Sequence, residues 1–236
     1  MNIAIVLSSG FGTRMKAKKN KTLLSIGRKP IIVHTIGCFE ESAVIDEIIL
    51  VVREEEKPVF EKIITKYGLK KVSALVSGGK ERQHSAYHAV QHLANKQKNA
   101  EDMIVFHNGA NPFVTEEEIT SVIIAAQKHG AAAVAHPTKD TIKEVGRDGR
   151  VVKTLDRSVL WNMQTPQALR FGLAQKAFHK AHEDQHLGTD DVSLAEYIGH
   201  PVAIVTASEN NFKITTPRDL LMAKLIMQEK NNSLRS

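Results

Sequence analysis

The first residues in this chain with the types and spacing to do chemistry are two glycines followed by two cations. Ser8-Ser9-Gly10-Phe11-Gly12-Thr13-Arg14 follows a short apolar run, and Lys21 comes shortly after. Gly10 and Gly12 accept backbone torsions that other residues avoid and let N–H groups approach an anion, and a helix starting there adds partial positive charge. Arg14 and Lys21 could converge on the same phosphate oxygens. The loop is not the dinucleotide fingerprint, because Met15 stands where a third glycine belongs. Nor is it a Walker loop, since no Gly-Lys-Ser/Thr follows at the required spacing. Two glycines alone fit an ordinary strand-to-helix turn equally well, and Arg14 alone fits a surface ion pair.

The elements that must carry this loop follow from hydrophobic periodicity. Short apolar, β-branched runs at 2–7, 48–52, 72–76, 103–106, 131–135 and 202–205 read as strands. Stretches of helical period at 30–41, 54–66, 82–94, 116–129, 173–182, 190–198 and 217–229 alternate with them. Such alternation predicts an α/β fold, doubly wound, with a mostly parallel sheet and helices on both faces. In that architecture ligands bind beyond the carboxyl ends of the strands, which is where the glycine loop lies. Residues 138–160 break the rhythm: they are polar, contain Asp148-Gly149 and are flanked by β-branched pieces. They read as a protruding β-arm, which needs a further surface to lie on, and a second subunit would supply it. The expected organisation is one domain, 1–236, with 138–160 as a dimerisation arm.

Composition narrows the setting. The 236 residues are 42% hydrophobic and carry 32 Lys+Arg against 26 Asp+Glu, which excludes disorder and collagen. No apolar stretch reaches the roughly 20 residues of a membrane-spanning helix, and the first residues lack the pattern of a secretory signal, so a cytoplasmic protein with no membrane partner is expected. A lone thiol, Cys38, supports neither an internal disulfide nor a cysteine zinc cage. The net charge of +6 favours anionic partners.

Further blocks extend the pattern. Gly10-Phe11-Gly12-Thr13-Arg14-Met15 with Lys21, then Gly78-Gly79-Lys80-Glu81-Arg82 and Ser85, are followed by Lys139-Asp140-Thr141-Ile142-Lys143. Asp156-Arg157, Leu160-Trp161, Gln164-Thr165-Pro166-Gln167, Thr189-Asp190-Asp191 and Asn211-Phe212-Lys213 come next. In this order the chain resembles the 2-C-methyl-D-erythritol 4-phosphate cytidylyltransferases, nucleotidyltransferases of Rossmann-like fold, and less closely the ribitol phosphate cytidylyltransferases. The resemblance implies that CTP and a polyol phosphate react to give a CDP-polyol and pyrophosphate. It also implies Mg²⁺ held mainly by the CTP phosphates, and a homodimer whose arms reach into each other's sites.

The resemblance also assigns roles. Ser8, Ser9, Gly10, Phe11, Gly12 and Thr13 would hold the triphosphate, while Arg14 and Lys21 would be catalytic, stabilising charge on the α-phosphate and the leaving pyrophosphate. Gly79, Lys80 and Ser85 would read cytosine. Asn108, Thr141, Arg157, Thr165 and Lys213 would bind the acceptor, with Thr141 and Arg157 acting on the partner's site if the arm swaps. The acceptor's own phosphate attacks, so alignment and charge suffice and no Ser/His/Asp triad is needed.

Two departures stand out. Where the family usually reads His-Asp-Ala-Ala-Arg-Pro, this chain reads His107-Asn108-Gly109-Ala110-Asn111-Pro112, so an acid and a base are both amides. Ser8 and Ser9 add hydroxyls where alanines are common. A cytidylyltransferase for another polyol phosphate such as ribitol 5-phosphate, and a weakly active CTP-binding regulatory protein, are therefore alternative readings. The rows His84, His88, His92 and His179, His182, His186 have spacings that could bind zinc but lack the His-Glu-x-x-His pattern, and no protein metal site is expected. An aromatic content of 5% and no recognition motif argue against a nucleic-acid partner.

Overall fold

The computed structural model describes residues 1–10 and 20–233. Its first half runs β1 (Asn2–Leu7), a small hairpin β2 (Ser25–Ile26) and β3 (Lys29–Pro30), α1 (Ile31–Glu41), β4 (Glu47–Val52), α2 (Lys57–Tyr67), β5 (Val72–Ser77), α3 (Arg82–Asn95) and β6 (Met103–Asn108). The second half adds α4 (Glu116–His129), β7 (Ala131–Pro137), β8 (Lys143–Val145), β9 (Val151–Thr154), β10 (Trp161–Arg170), α5 (Phe171–Glu183), α6 (Ser193–Tyr197), β11 (Ala203–Thr206) and α7 (Pro217–Ser233).

Seven strands form one sheet in the order β11-β7-β10-β6-β1-β4-β5. β1 pairs in parallel with β4 and β6, β4 with β5, and β7 with β11. The mostly parallel sheet covered on both faces is thus as the alternation predicted. Side-chain alternation along β1 explains the two layers. Ile3, Ile5 and Leu7 pack with Ala86, Val90 and Leu93 of α3 and Phe171 and Phe178 of α5. Ala4 and Val6 pack on the opposite face with Ile32 and Ile36 of α1, Phe60 of α2 and Val122 of α4. A strand buried on both faces has no polar alternation, which is why β1, β4 and β6 read as continuous apolar runs.

Local signals set the helix ends. Thr115 Oγ1 accepts from Glu118 N while the Glu118 carboxylate accepts from Thr115 N, a reciprocal cap that starts α4. Gly68, at φ +63°, ends α2 in the left-handed conformation that glycine tolerates. The expected helix at 54–66 begins instead with a single 3-10 turn at Glu54–Glu56, and the one expected at 190–198 is only the short α6.

β10 is the element the periodicity does not show. It lies antiparallel between β6 and β7 in the middle of the sheet, with its pairing to β7 shifted between Met163 and Gln167. Pro166 lacks an N–H for the ladder and argues locally against a central strand, and the register shift is what accommodates it. Within 138–160, β8 and β9 form an antiparallel hairpin whose turn contains Gly149 at φ +78°. Every residue of both strands is exposed. Among the described residues, no helix is long and apolar enough to cross a membrane.

Candidate active site

The ends of β1, β5 and β6 open on the same edge of the sheet, and the loops leaving them build the site. After Leu7 the chain passes through Ser8, Ser9 and Gly10. Phe11, Gly12, Thr13 and Arg14 lie outside the described residues. The chain re-enters at Asn20, where a buried polar clasp fixes it. Asn20 Nδ2 donates to Ser8 O (2.7 Å) and Glu56 Oε2 (2.8 Å), while its Oδ1 accepts from Thr22 N (3.1 Å) and Thr22 Oγ1 (2.9 Å). Thr22 has thereby used its one proton, so Ser8 Oγ is the donor in the 2.7 Å bond between the two hydroxyls. Ser8 is 2% exposed, and its hydroxyl ties the start of the loop to the turn that carries Lys21.

Beside the loop lies a cavity of about 210 Å³ that collects residues far apart in sequence. Ser8, Ser9, Gly10, Lys21, Gly79, Lys80, Ser85, Asn108 and Lys213 all line it. The close approach of its walls depends on small residues. A Cβ on Gly109 would come within 3.0 Å of Leu7 O, and one on Gly78 within 2.3 Å of Ser9 Cβ. Ser85 Oγ, on the first turn of α3, accepts from Gly79 N (3.0 Å) and lies 2.9 Å from Ser9 Oγ.

A second cavity, about 430 Å³, adjoins the first and is lined by Gln164, Thr165, Gln167, Thr189 and Asp190. Arg82, Asn108 and Lys213 line both cavities and form the wall between them. Arg82 grips Asp191 through Nη1–Oδ1 (2.8 Å) and Nη2–Oδ2 (2.6 Å), and its Nε donates to Asn108 Oδ1 (3.1 Å). Lys213 Nζ donates to the same oxygen at 3.4 Å, and Asn108 Nδ2 donates to Thr165 Oγ1 at 3.3 Å. Gln167 then accepts from Asp191 N (2.9 Å) and donates to Asp190 Oδ2 (2.8 Å), which fixes the far wall.

His107 and Asn111 are fully buried and line neither cavity. Burial lowers the His107 pKa to about 4, and the charges of Arg82 and Lys213 push the same way, against a bond to the Asn111 carbonyl. The ring is therefore neutral near pH 7. Its Nε2 donates to Asn111 O (3.0 Å) and holds the turn after β6. Asn111, where the family motif has arginine, donates its Nδ2 to the Asn211 carbonyl (3.5 Å).

Thr141 and Arg157 line neither cavity. Thr141 is exposed beside the hairpin, and Arg157, in the turn after it, donates to Lys139 O at 3.2 Å. Residues that local reading passed over include Asn20, Arg82 and Asp191. Arg82 and Asp191 stood inside the quoted blocks, but 109 residues separate them and no local signal pairs them.

Among the described residues, no group of three or more His, Cys, Asp or Glu could hold a metal ion. The cavity instead offers hydroxyls, backbone N–H groups and the ammonium groups of Lys21, Lys80 and Lys213, a donor set for phosphate oxygens.

The comparisons agree with this geometry. The family model for 2-C-methyl-D-erythritol 4-phosphate cytidylyltransferase matches residues 2–229. A relative of that name from Bacillus cereus is 44% identical over 224 residues, covering 95% of this chain and 96% of the relative. Another from Geobacillus kaustophilus is 43% identical over 228 residues, covering 96% of this chain and 97% of the relative. A crystal structure of 4-diphosphocytidyl-2C-methyl-D-erythritol synthase from Anaerococcus prevotii superimposes with a TM-score of 0.82 at 28% identity, covering 96% of both chains. Sequence likeness over nearly the whole length and a shared sheet point the same way: the chain belongs to the 2-C-methyl-D-erythritol 4-phosphate cytidylyltransferase family.

Proposed function

We propose that this protein transfers the cytidylyl group of CTP to 2-C-methyl-D-erythritol 4-phosphate, releasing pyrophosphate, as a step of isoprenoid biosynthesis. The observation that carries the reading is the convergence of Ser8, Ser9, Gly10, Lys21, Gly79, Lys80, Ser85, Asn108 and Lys213 on one cavity. The triphosphate lies along the loop at Ser8–Gly10, and cytosine lies against Gly79, Lys80 and Ser85. The acceptor occupies the adjoining cavity with Thr165 and Lys213, so that its phosphate meets the α-phosphorus near the shared wall. An oxygen of that phosphate attacks, the bond to the β-phosphate oxygen breaks, and pyrophosphate carries the electron pair away.

Lys21 and Arg14 are read as the groups that neutralise the developing charge, and they need no proton transfer to do so. Mg²⁺ is read as arriving with CTP, bound mainly by its phosphates, where it screens their charge. Asn108 Oδ1, already accepting from Arg82 and Lys213, offers such an ion no negative charge. The exposed hairpin with Val145, Val151 and Val152 is read as a homodimer contact that carries Thr141 and Arg157 to the partner's site. A single cysteine, the half-buried Cys38, fits a cytoplasmic setting. No nucleic-acid or membrane partner is invoked.

The test is pyrophosphate release from CTP with methylerythritol phosphate, ribitol phosphate and other sugar phosphates in turn. Release is expected with methylerythritol phosphate. Release only with another polyol phosphate would reassign the acceptor, and CTP binding without release under any condition would identify a regulatory protein.

A further inference from the structure

The hydroxyl of Ser85 is crowded in a way that bears on which base the cavity accepts. Ser85 is 1% exposed, and its Oγ has three kinds of neighbour. Gly79 N donates to it at 3.0 Å. The Glu81 carbonyl at 3.1 Å and the Gly79 carbonyl at 3.5 Å can only accept, and the nearer takes the single Ser85 proton. The remaining neighbour is Ser9 Oγ at 2.9 Å, and with the Ser85 proton committed Ser9 must be the donor. Gly78 permits this approach, since a Cβ there would lie 2.6 Å from Ser9 Oγ and 3.1 Å from Ser85 Oγ.

We propose that Ser9 is a positioning residue for base selection: by filling a lone pair of Ser85, it leaves that hydroxyl able to face a pyrimidine only as a donor. The inference rests on the reading above that Ser85 faces the base. Cytosine presents N3 and O2 as bare acceptors, whereas uracil carries a proton on N3. When CTP enters, the Ser85 proton is shared between the Glu81 carbonyl and the cytosine edge in a three-centre bond, because turning it away about Cβ–Oγ would carry the lone pairs off Gly79 N and Ser9 Oγ. Gly79 N and the Ser9 hydroxyl continue to occupy the two lone pairs. Uracil N3–H then meets a second donor and no acceptor, the mismatch from which polar sites draw discrimination. Without the Ser9 hydroxyl, Ser85 regains a free lone pair, can rotate, and can accept from uracil.

The experiment compares kcat/KM for CTP and UTP in wild type, Ser9→Ala, Ser85→Ala and the double variant, with Ser9→Cys as a second probe of the donor. Ser9→Ala should lower the CTP:UTP ratio about tenfold, the scale of one hydrogen bond, and Ser9→Cys, a weaker donor, should fall between. Ser85→Ala should lower the ratio as well, and in its background Ser9→Ala should change it no further. If Ser9→Ala slows both nucleotides equally, or shifts the ratio equally with and without Ser85, the inference is overturned while the reading of the base site stands. If Ser85→Ala leaves the ratio unchanged, the reading of Ser85 as the base contact fails, and the inference fails with it.

Discussion

Arg82 and Asp191 lie 109 residues apart in sequence and meet through two parallel hydrogen bonds of 2.8 and 2.6 Å at the wall between the two cavities. The Asp191 side chain is 1% exposed and that of Arg82 is 30% exposed, so the carboxylate depends on this partner far more than the guanidinium does. The third arm of the guanidinium, Nε, holds Asn108. Fold and site share this one contact.

Arg82→Ala leaves Asp191 buried without its cation, and the expected loss is about 3 kcal/mol of stability, read from urea midpoints. Arg82→Lys should recover little of it, because an ammonium cannot make the paired bonds and also reach Asn108. A full recovery by lysine would show that charge alone, without the planar fork, holds the wall.

Lys21 lines the first cavity, on the turn held by the Asn20–Ser8–Thr22 clasp. Lys21→Ala should reduce kcat on the order of a hundredfold or more, while CTP affinity measured by calorimetry changes much less. An equal loss in affinity and kcat would make Lys21 a ground-state contact.

Asn108→Asp places a charge where Arg82 Nε and Lys213 Nζ already point, so the substitution should fold well. The added charge beside the triphosphate should lower the Mg²⁺ concentration needed for half-maximal rate. An unchanged or higher requirement in a magnesium titration would remove metal support as the meaning of this position.

His107 sets a pH dependence whose sign is fixed by its depressed value. The folded ring titrates near pH 4 and the unfolded one near 6.5, so the unfolded chain binds the extra proton between them. Stability is therefore lost as pH falls from about 6.5 towards 4 and levels off below, by about 3 kcal/mol in all. His34 and His92, also lowered chiefly by burial, add in the same direction. Urea midpoints from pH 7 to 4.5 should fall steeply in wild type and less steeply in His107→Gln. Parallel slopes would place the effect elsewhere.

The hairpin gives a prediction about assembly. Val151→Asp with Val152→Asp should convert a sedimenting dimer to monomer and lower activity. Mixing inactive Arg157→Ala with inactive Lys21→Ala should restore about a quarter of wild-type turnover, since half of the redistributed dimers carry one intact site. No restoration would mean that each chain supplies its own Arg157.

The sequence by itself determined the layers of this protein. Buried parallel strands announce themselves as apolar runs and helices by their period, and both signals are local. It also located Ser8, Lys21, Ser85 and Lys213 as candidates. Tertiary structure alone decided three things. β10 lies inside the sheet although Pro166 speaks against a strand there, because pairing with both β6 and β7 outweighs one missing N–H. Asn111, an amide where the family motif has a base, is buried away from both cavities. Arg82 joins Asp191, and Ser9 joins Ser85, because strand order brings their loops to one edge. Contacts between distant segments depend on that order, and no window of sequence contains it.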